Sequence, residues 1–352
     1  MSIIVIFGSF RGSNVRKPFF LAPMAEISHR AFRELIEDFG GCDCFFSEMI
    51  SAGALLAGGP FEKWYADTGP KPEKLVFQLV GSDLEQISRA AALLDRLECA
   101  GIDINMGCSA PLIRKTGSGA AWMASIDRAG ELIARVRPVV RRRLSVKLRI
   151  GYRDDFEYLV KFCRRLEDEG TELITLHPRT VTEKFKRLAR WEYVGRLKQE
   201  LKIPVAGNGD IAGAGDLVRR ASGPCDAVMV GRGAVRRPWI FASARKVEEG
   251  QSLSPAGSVP ENAPDLEEGQ SLSPSSSVPD KDNINFEEVG LRFLELLSRH
   301  QPPEFHVSRA RRFFSFFCDN LKWGNYLKNQ LNREETLAGI ERVWREQAEG
   351  SR

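Results

Sequence analysis

The first 250 residues alternate between short apolar runs and longer amphipathic runs. The apolar runs, rich in Val, Ile, Leu and Phe, predict eight β-strands, at 19–23, 43–48, 75–80, 101–105, 144–150, 172–177, 203–208 and 226–231. Apolar residues spaced three and four apart predict helices at 28–39, 83–97, 126–137, 155–169, 191–200 and 213–221. Strands that alternate with helices form parallel sheets, and eight such units have the size of a (β/α)8 barrel. A doubly wound sheet is less favoured, because no GxGxxG follows the first strand. The predicted fold class is therefore α/β, a TIM barrel.

A segment of different composition interrupts this pattern at 248–280. It contains two near copies, EEGQSLSPAGSVPENAPDL and EEGQSLSPSSSVPDKDN, offset by 19 residues. Such a segment buries too little apolar surface to offset the entropy lost on ordering. We therefore predict an N-terminal extension at 1–18, a barrel domain at 19–247 and a low-complexity linker or insertion at 248–283. Residues 284–352 show apolar spacing typical of helices and are predicted to form a small C-terminal helical bundle.

Charge is distributed unevenly along the chain. The sequence has 51 Lys and Arg and 47 Asp and Glu, but 248–280 holds seven of the acidic residues and no basic one. The remainder is therefore distinctly basic, and its field favours polyanions such as nucleic acid. The apolar run at 3–7 is too short to cross a membrane and does not form a secretion signal. The seven scattered cysteines fit reduced thiols and a cytoplasmic location.

Polar residues lie where the predicted strands end, and in a barrel these ends meet at one face. Gln78 lies on the third strand, Asn105 and Cys108 follow the fourth, and Lys147 lies inside the fifth. No cluster of His, Asp or Glu has the spacing of metal ligands, so no metal site is predicted. GNGD (207–210) ends the seventh strand, and GRGA follows the eighth. Because barrels bind phosphate after these two strands, the glycines and Arg232 predict a phosphate site.

Lys147 lies between apolar neighbours, where an ammonium group requires a compensating anion or dipole. One interpretation is a salt bridge to a neighbouring strand. The other is a ring that becomes anionic, and a reduced flavin is such a ring. Gln78 and Asn208 could then hydrogen-bond the flavin and its ribityl chain. His177 is either a satisfied core histidine or a contact for flavin or substrate.

Nine stretches of the chain resemble the tRNA-dihydrouridine synthase family, and they come in the family's order. They are LAPMAEISHRAFR (21–33), SEMISA (47–52), FQLVGSD (77–83), GIDINMGCSAP (101–111), GSGAAWM (117–123), SVKLRIG (145–151), HPRT (177–180), PVAGNGDI (204–211) and VMVGRGA (228–234). The tail, from ARRFFSFFCDN (310–320) to NYLKNQLNRE (325–334), is similar to the family's helical RNA-binding domain. The resemblance implies an FMN-dependent oxidoreductase that reduces the C5–C6 double bond of uridine in tRNA, with NADPH as reductant.

The resemblance also assigns roles to individual residues. Cys108 is implied as the proton donor to C5, which agrees with an ordinary thiol pKa of about 8.5 that leaves it mostly protonated. Asn105 resembles the uracil-binding asparagine, and Arg179 is a plausible substrate or phosphate contact. The positions that resemble FMN contacts are Pro23, Met24, Gln78, Lys147, His177, Asn208, Gly209, Gly231 and Arg232.

Two basic stretches are candidates for contact with tRNA. EKFKRLARW (183–191), with Lys184 and Lys186, follows the sixth strand and should line the open end of the barrel. Residues 306–333 carry six Lys and Arg against one acidic residue, and they include Arg311 and Arg312. The expected partners are tRNA and NADPH, with no membrane and no obligate protein partner.

Two other functions stay open at this point. One is a related flavin enzyme, such as a dihydroorotate or dihydropyrimidine dehydrogenase, acting on a free base; the basic tail argues against it. The other is a non-catalytic tRNA-binding barrel. The presence of Cys108, Lys147 and His177 together argues against that second function.

Overall fold

Eight parallel strands close into a barrel in the computed structural model, which describes residues 16–183, 186–250 and 284–349. The strands are β1 (Phe19–Leu21), β2 (Cys44–Ser51), β3 (Leu75–Val80), β4 (Gly101–Met106), β5 (Arg143–Gly151), β6 (Leu173–Thr180), β7 (Val205–Asn208) and β8 (Ala227–Val230). Each strand pairs with the next, and β8 pairs with β1 through Phe20 and Met229. The predicted TIM barrel is confirmed.

The helices surround the barrel and continue beyond it. They are α1 (Arg30–Asp38), α2 (Ala52–Ala57), α3 (Glu62–Tyr65), α4 (Leu84–Leu94), α5 (Pro111–Lys115), α6 (Ile126–Val136), α7 (Phe156–Asp168), α8 (Glu192–Glu200), α9 (Ala214–Ser222), α10 (Arg232–Arg236), α11 (Ile240–Glu248), α12 (Phe286–His300), α13 (Pro303–Phe317), α14 (Gly324–Leu331) and α15 (Leu337–Glu349). The sequence did not predict α2, α3, α5 and α10, because helices of four to six residues are too short to show a period. It also missed the nine-residue helix α11. None of the helices described here is long and apolar enough to cross a membrane.

The barrel interior has an apolar floor and a polar upper layer. Side chains alternate between the two faces of a strand, so every second residue points inward. The floor consists of Phe20, Ala22, Cys44, Phe46, Val76, Ala100, Leu173, Ala206, Ala227 and Met229, all buried. Two residues further along the same strands, the inward positions become polar, as in Gln78 after Val76 and Thr175 after Leu173. The polar layer therefore lies at the carboxyl ends of the strands, which form the barrel mouth.

The C-terminal helices α12 to α15 pack directly against the barrel helices. Aromatic rings join the two parts. The ring centre of Phe313 lies 6.1 Å from that of Phe32 in α1, and the ring centre of Phe286 lies 5.8 Å from that of Trp239, next to α11. These rings belong to one buried apolar cluster that runs through both parts. Residues 1–15 and 251–283, which contain most of the predicted extension and linker, lie outside the described residues.

A buried ion pair crosses the same interface. Arg309 of α13 lies 3.0 Å from Glu48 of β2, and their side chains are 3% and 4% exposed. Glu48 also accepts a hydrogen bond from the backbone N–H of Glu26, 2.6 Å away. Arg309, one of the six cations in the candidate stretch 306–333, is therefore used in the interior of the protein.

We expect Arg309→Met to destabilise the protein by about 3–5 kcal/mol, because it leaves the buried carboxylate of Glu48 without its cation. The midpoint of thermal unfolding measures this effect. The double variant Arg309→Met/Glu48→Leu should recover most of the loss, since it removes both charges of the pair together. If Arg309→Met unfolds at the same temperature as the wild type, the ion pair does not contribute to the stability of the protein.

Candidate active site

Cys108 is presented at the barrel mouth by a tightly held loop. All seven cysteines lie in the described part of the chain; six are buried, and Cys108 alone is partly exposed. Hydrogen bonds hold the Cys108 backbone at both its N–H group and its carbonyl group. The side-chain oxygen of Asn105 accepts hydrogen bonds from the backbone N–H groups of Gly107 (3.1 Å) and Cys108 (2.9 Å). The carbonyl oxygen of Cys108 accepts one from Ala120 N (3.0 Å).

Gly119 allows this close approach. Its φ of +60° lies in the left-handed region that favours glycine, and a Cβ there would lie 2.8 Å from the Cys108 carbonyl oxygen. A side chain at this position would therefore push the segment away from Cys108. The glycine in the motif GSGAA serves the cysteine loop in this way.

A chain of buried hydrogen bonds connects the cysteine loop to the barrel interior. The side-chain N–H of Asn105 donates to Gln78 Oε1 (2.8 Å), and Gln78 Nε2 donates to Asp103 Oδ2 (2.7 Å). The hydroxyl of Ser145 donates to the other oxygen of Asp103 (2.6 Å). All four side chains are buried. This polar chain ends on the backbone of Cys108.

The carboxylate of Asp103 gives the polar chain its direction. An ionised carboxylate only accepts hydrogen bonds, so Gln78 must turn its N–H toward it and its oxygen toward Asn105. Asn105 must then turn its own oxygen toward the cysteine loop. Burial raises the pKa of Asp103 to about 6, which leaves it mostly ionised at neutral pH. Sequence reasoning missed Asp103 and Ser145, although each lies two residues before a predicted site residue and so faces inward.

Lys147 lies beside Asn105 in the strand register and is half-buried. Burial, together with the nearby Arg149, lowers its pKa to about 8. Among the residues that the structure describes, its ammonium group makes no hydrogen bond and no salt bridge. The interpretation of Lys147 as half of a salt bridge between strands is therefore not supported. The buried carboxylate of Asp103 stabilises its charge at longer range, but within the described residues no anion contacts the ammonium group directly.

His177 is neutral and accepts a hydrogen bond from Arg179. Its Nε2 lies 2.9 Å from Nη1 of Arg179, and since a guanidinium only donates, Nε2 accepts. Burial lowers the pKa of His177 well below its usual value, and the charges of Lys147, Arg149 and Arg179 lower it further. Arg179, predicted as a substrate or phosphate contact, has a side chain only 3% exposed and pairs with Asp210 at 2.6 Å. In the structure it positions His177.

Arg149 is a second inward cation that sequence reasoning did not single out. It donates to the carbonyl oxygens of Gly107 (3.0 Å) and Thr180 (3.2 Å), so it connects the cysteine loop to β6. Burial and the neighbouring Arg179 lower its pKa to about 10. The signal in the sequence was its position two residues after Lys147.

The remaining predicted cofactor positions surround the same opening. Asn208 donates to Met229 O (2.8 Å), and Gly209, at φ +125°, passes so close to His177 that a Cβ would lie 3.3 Å from the imidazole ring. A Cβ at Gly231 would lie 3.5 Å from Met24 Sδ. Pro23 and Met24 are half-buried after β1, and Arg232 is exposed at the start of α10. The fold thus brings these positions to one end of the barrel.

The cations predicted to contact tRNA have different environments. Lys186 is exposed, whereas Lys184 lies outside the described residues. Arg311 is half-buried and donates to Glu334 O at 2.7 Å, so part of its guanidinium is used inside the bundle. The side chain of Arg312 is 50% exposed and lies 4.0 Å from Glu26 in the β1–α1 segment.

Within the described ranges, no group of three or more His, Cys, Asp or Glu could hold a metal ion.

Comparisons with known proteins agree with the barrel and its motifs. The family described as dihydrouridine synthase (Dus) matches residues 20–268. A tRNA-dihydrouridine(16) synthase of Cupriavidus necator is 31% identical over 243 residues, which cover 66% of this chain and 74% of that protein. A probable tRNA-dihydrouridine synthase of Mycobacterium tuberculosis is 34% identical over 259 residues, or 69% of this chain and 65% of that protein. A Xenopus tropicalis protein named tRNA-dihydrouridine(47) synthase NAD(P)(+)-like is 30% identical over 233 residues, or 66% of this chain and 36% of that protein. The chain belongs to the dihydrouridine synthase family.

Proposed function

We propose that the chain is an FMN-dependent, NADPH-driven tRNA-dihydrouridine synthase. The observation that carries the proposal is the proximity of two side chains. Cys108 is the one partly exposed cysteine, and it lies near Lys147, a half-buried cation that makes no hydrogen bond or salt bridge within the described residues. Cys108 lies in the loop that follows β4, and Lys147 lies on the neighbouring strand β5. The names of the relatives support tRNA as substrate, and one of those names supports a nicotinamide cofactor.

The barrel mouth fits an anionic cofactor such as FMN. Lys147, Arg149, Arg179 and Arg232 are all close enough to lower the pKa of His177, so the mouth concentrates positive charge. A phosphate and a ring that becomes anionic on reduction would both be stabilised there. Lys147, His177 and Asn208, lined by Pro23 and Met24, would hold the ring system and ribityl chain. Gly209, Gly231 and Arg232 would hold the phosphate, since glycine lets backbone N–H groups approach it.

The hydrogen bonds within the polar chain restrict what two predicted contacts can do. Gln78 uses its oxygen and one N–H inside the protein, which leaves one side-chain N–H for a ligand. Asn105 commits its oxygen to the cysteine loop, so only its second N–H could reach a uracil carbonyl oxygen. Both residues therefore act mainly by fixing the position of Cys108.

In this proposal Cys108 is the general acid. When bound, FMN supplies the hydride for C6 of uracil. The Cys108 thiol gives its proton to C5, and together these steps saturate the C5–C6 bond. A fixed donor is effective because proton transfer requires a short, well-aligned approach. The Cys108 backbone donates to Asn105 and accepts from Ala120, and these two hydrogen bonds hold the loop that carries the thiol.

The uridine must leave its stack to reach the barrel mouth, at a cost of a few kcal/mol. Phosphate contacts supply binding energy that offsets this cost, and they need exposed cations around the opening. Lys186 after β6 and Arg312 of the bundle meet this requirement. We propose them as tRNA contacts, with Lys184 and Arg311 as further candidates.

The absorbance of the purified, FMN-supplied protein tests the proposal. A flavin spectrum, together with reduction of unmodified tRNA and no reduction of free uracil or orotate, supports the synthase. A protein that binds tRNA but stays colourless in excess FMN would instead be a binding module. A yellow protein that reduces only free bases would belong to the dehydrogenase class.

Lys147→Met is expected to weaken FMN binding about 10- to 100-fold, because one charge-assisted contact contributes about 1.5–3 kcal/mol. Since the pKa of Lys147 is about 8, the wild-type affinity should also fall as pH rises above 8, and the variant should lose this dependence. Fluorescence titration of the apoprotein with FMN measures both effects. Equal affinities for variant and wild type at pH 7 would contradict the assignment.

A further inference from the structure

Two aromatic side chains stand out on the surface of the C-terminal bundle. Trp323 is 66% exposed and Tyr326 is 54% exposed. All six tryptophans lie within the described ranges, and Trp323 is the only one of them that is exposed. Trp323 immediately precedes α14 and Tyr326 follows three residues later, so both rings lie on neighbouring parts of one helix surface. Single exposed apolar side chains are ordinary, but two neighbouring exposed aromatic rings form a patch of the kind that marks a binding surface.

The segment that carries the two rings is firmly packed. Asn320, just before it, donates hydrogen bonds to Phe317 O (2.9 Å) and to Arg236 O of α10 (2.6 Å). Gly324 lies so close to the carbonyl oxygen of Cys318 that any side chain there would clash. Leu327 of α14 is buried. Because Asn320 contacts α10, which follows β8, the segment that carries the rings is held against the barrel domain.

The surroundings of the two rings are positively charged. Residues 321–333 contain Lys322, Lys328 and Arg333 and no acidic residue. The ammonium group of Lys322 lies 5.5 Å from the centre of the Trp323 ring. The nearby carboxylate of Asp319 is shared between Lys328 and Arg236, so it does not cancel the local charge. Exposed aromatic rings beside cations fit a ligand that has both flat bases and phosphates.

We propose that Trp323 and Tyr326 form a stacking platform for an unpaired nucleotide of the RNA substrate, with Lys322 contacting its phosphate. The proposal rests on the proposed function, because it takes tRNA as the ligand. Stacking on an aromatic ring tolerates any base, so the platform recognises that a base is unpaired rather than which base it is. It would add affinity for a loop whose nucleotides are already unstacked.

Equilibrium binding of an unmodified tRNA transcript to the FMN-loaded full-length protein tests the platform. Trp323→Ala and Tyr326→Ala should each weaken binding about 5- to 150-fold, while Trp323→Phe, which keeps a stacking ring, should weaken it less. Neither alanine variant should change the slope of log Kd against log salt, whereas Lys322→Gln should reduce that slope by about one unit. Leu93→Ala is the matched control, because Leu93 is 40% exposed on α4, away from the barrel mouth.

Tryptophan fluorescence gives a second readout, since Trp323 is the exposed tryptophan. Added tRNA should quench the emission of the wild type, and the exposed component of this quenching should be missing in Trp323→Phe. If Trp323→Ala/Tyr326→Ala binds tRNA as tightly as the wild type, the proposal is overturned. Self-association of the wild type that the double variant loses, with tRNA affinity unchanged, would equally overturn it and indicate a protein-docking surface.

The platform and the proposed function can fail separately. A wild type that binds tRNA but never reduces it would end the proposed function, while a loss of affinity in Trp323→Ala would still support the platform. A wild type that reduces tRNA, with variants of unchanged affinity, would keep the function and reject the platform.

Discussion

Cys108→Ala is expected to lower the rate of uridine reduction by about 10²- to 10⁴-fold, the usual contribution of a positioned general acid. Cys108 is partly exposed on the loop that follows β4, and the other six cysteines are buried. The backbone contacts from Asn105 and Ala120 do not involve the thiol, so the variant should keep its fold, its flavin and its affinity for tRNA. Single-turnover oxidation of the pre-reduced enzyme by unmodified tRNA measures the chemical step separately from reduction by NADPH.

Cys225→Ala is the matched control for this prediction. Cys225 is buried just before β8, at the end of the barrel opposite Cys108, and its removal should leave the rate unchanged. Reduction of the flavin by NADPH should be the same in both variants and the wild type. A Cys108→Ala enzyme that reduces tRNA at the wild-type rate would exclude the thiol as the acid.

Asp103→Leu is expected to slow the reduction of tRNA by about 10²-fold. Asp103 acts indirectly, as a positioning residue at the start of the polar chain. Without its carboxylate, Gln78 loses the acceptor that sets its orientation, and Asn105 is then no longer forced to point its oxygen at the Cys108 loop. A displacement of about 1 Å in a reacting group can cost this much. The buried, unsatisfied N–H of Gln78 should also destabilise the protein by about 1–3 kcal/mol.

Asp103→Asn separates positioning from general damage to the barrel. Its side-chain oxygen can still accept from Gln78 while its N–H donates to Ser145, so most of the rate should be retained. Protonation of Asp103, whose pKa is about 6, likewise leaves a carbonyl oxygen for Gln78 and a hydroxyl for Ser145, so the wild type should show no loss of rate from this group between pH 7 and pH 5. Equal rates for Asp103→Leu and Asp103→Asn, at equal stability, would show that the polar chain does not hold Cys108.

The barrel could be predicted because its signal is local. Each strand is a short apolar run bounded by turn residues, and each of the six predicted helices has a complete apolar period. The placement of the bundle could not be predicted, since it depends on contacts between residues far apart in the chain. The pairing of Arg309 with Glu48 is an example: a basic run in the sequence gave no sign that one of its members is buried.

The candidate site could be predicted in part for the same reason. Residues at strand ends must meet at the barrel mouth, so Cys108, Lys147 and His177 were found from position alone. The buried residues that hold the site together were not singled out, because Asp103 acts on Gln78 and Arg149 on the Gly107 carbonyl across neighbouring strands. The inward period of two would have found both, because Asp103 lies two residues before Asn105 and Arg149 two residues after Lys147.

Anaerobic mixing of the NADPH-reduced, FMN-loaded wild type with unmodified tRNA tests the central claim most directly. We predict that the oxidised-flavin absorbance returns in one turnover, that one uridine gains two hydrogens, and that the hydrogen at its C5 comes from solvent-exchanged protons. A reduced enzyme that binds the tRNA but is not reoxidised by it would contradict the account.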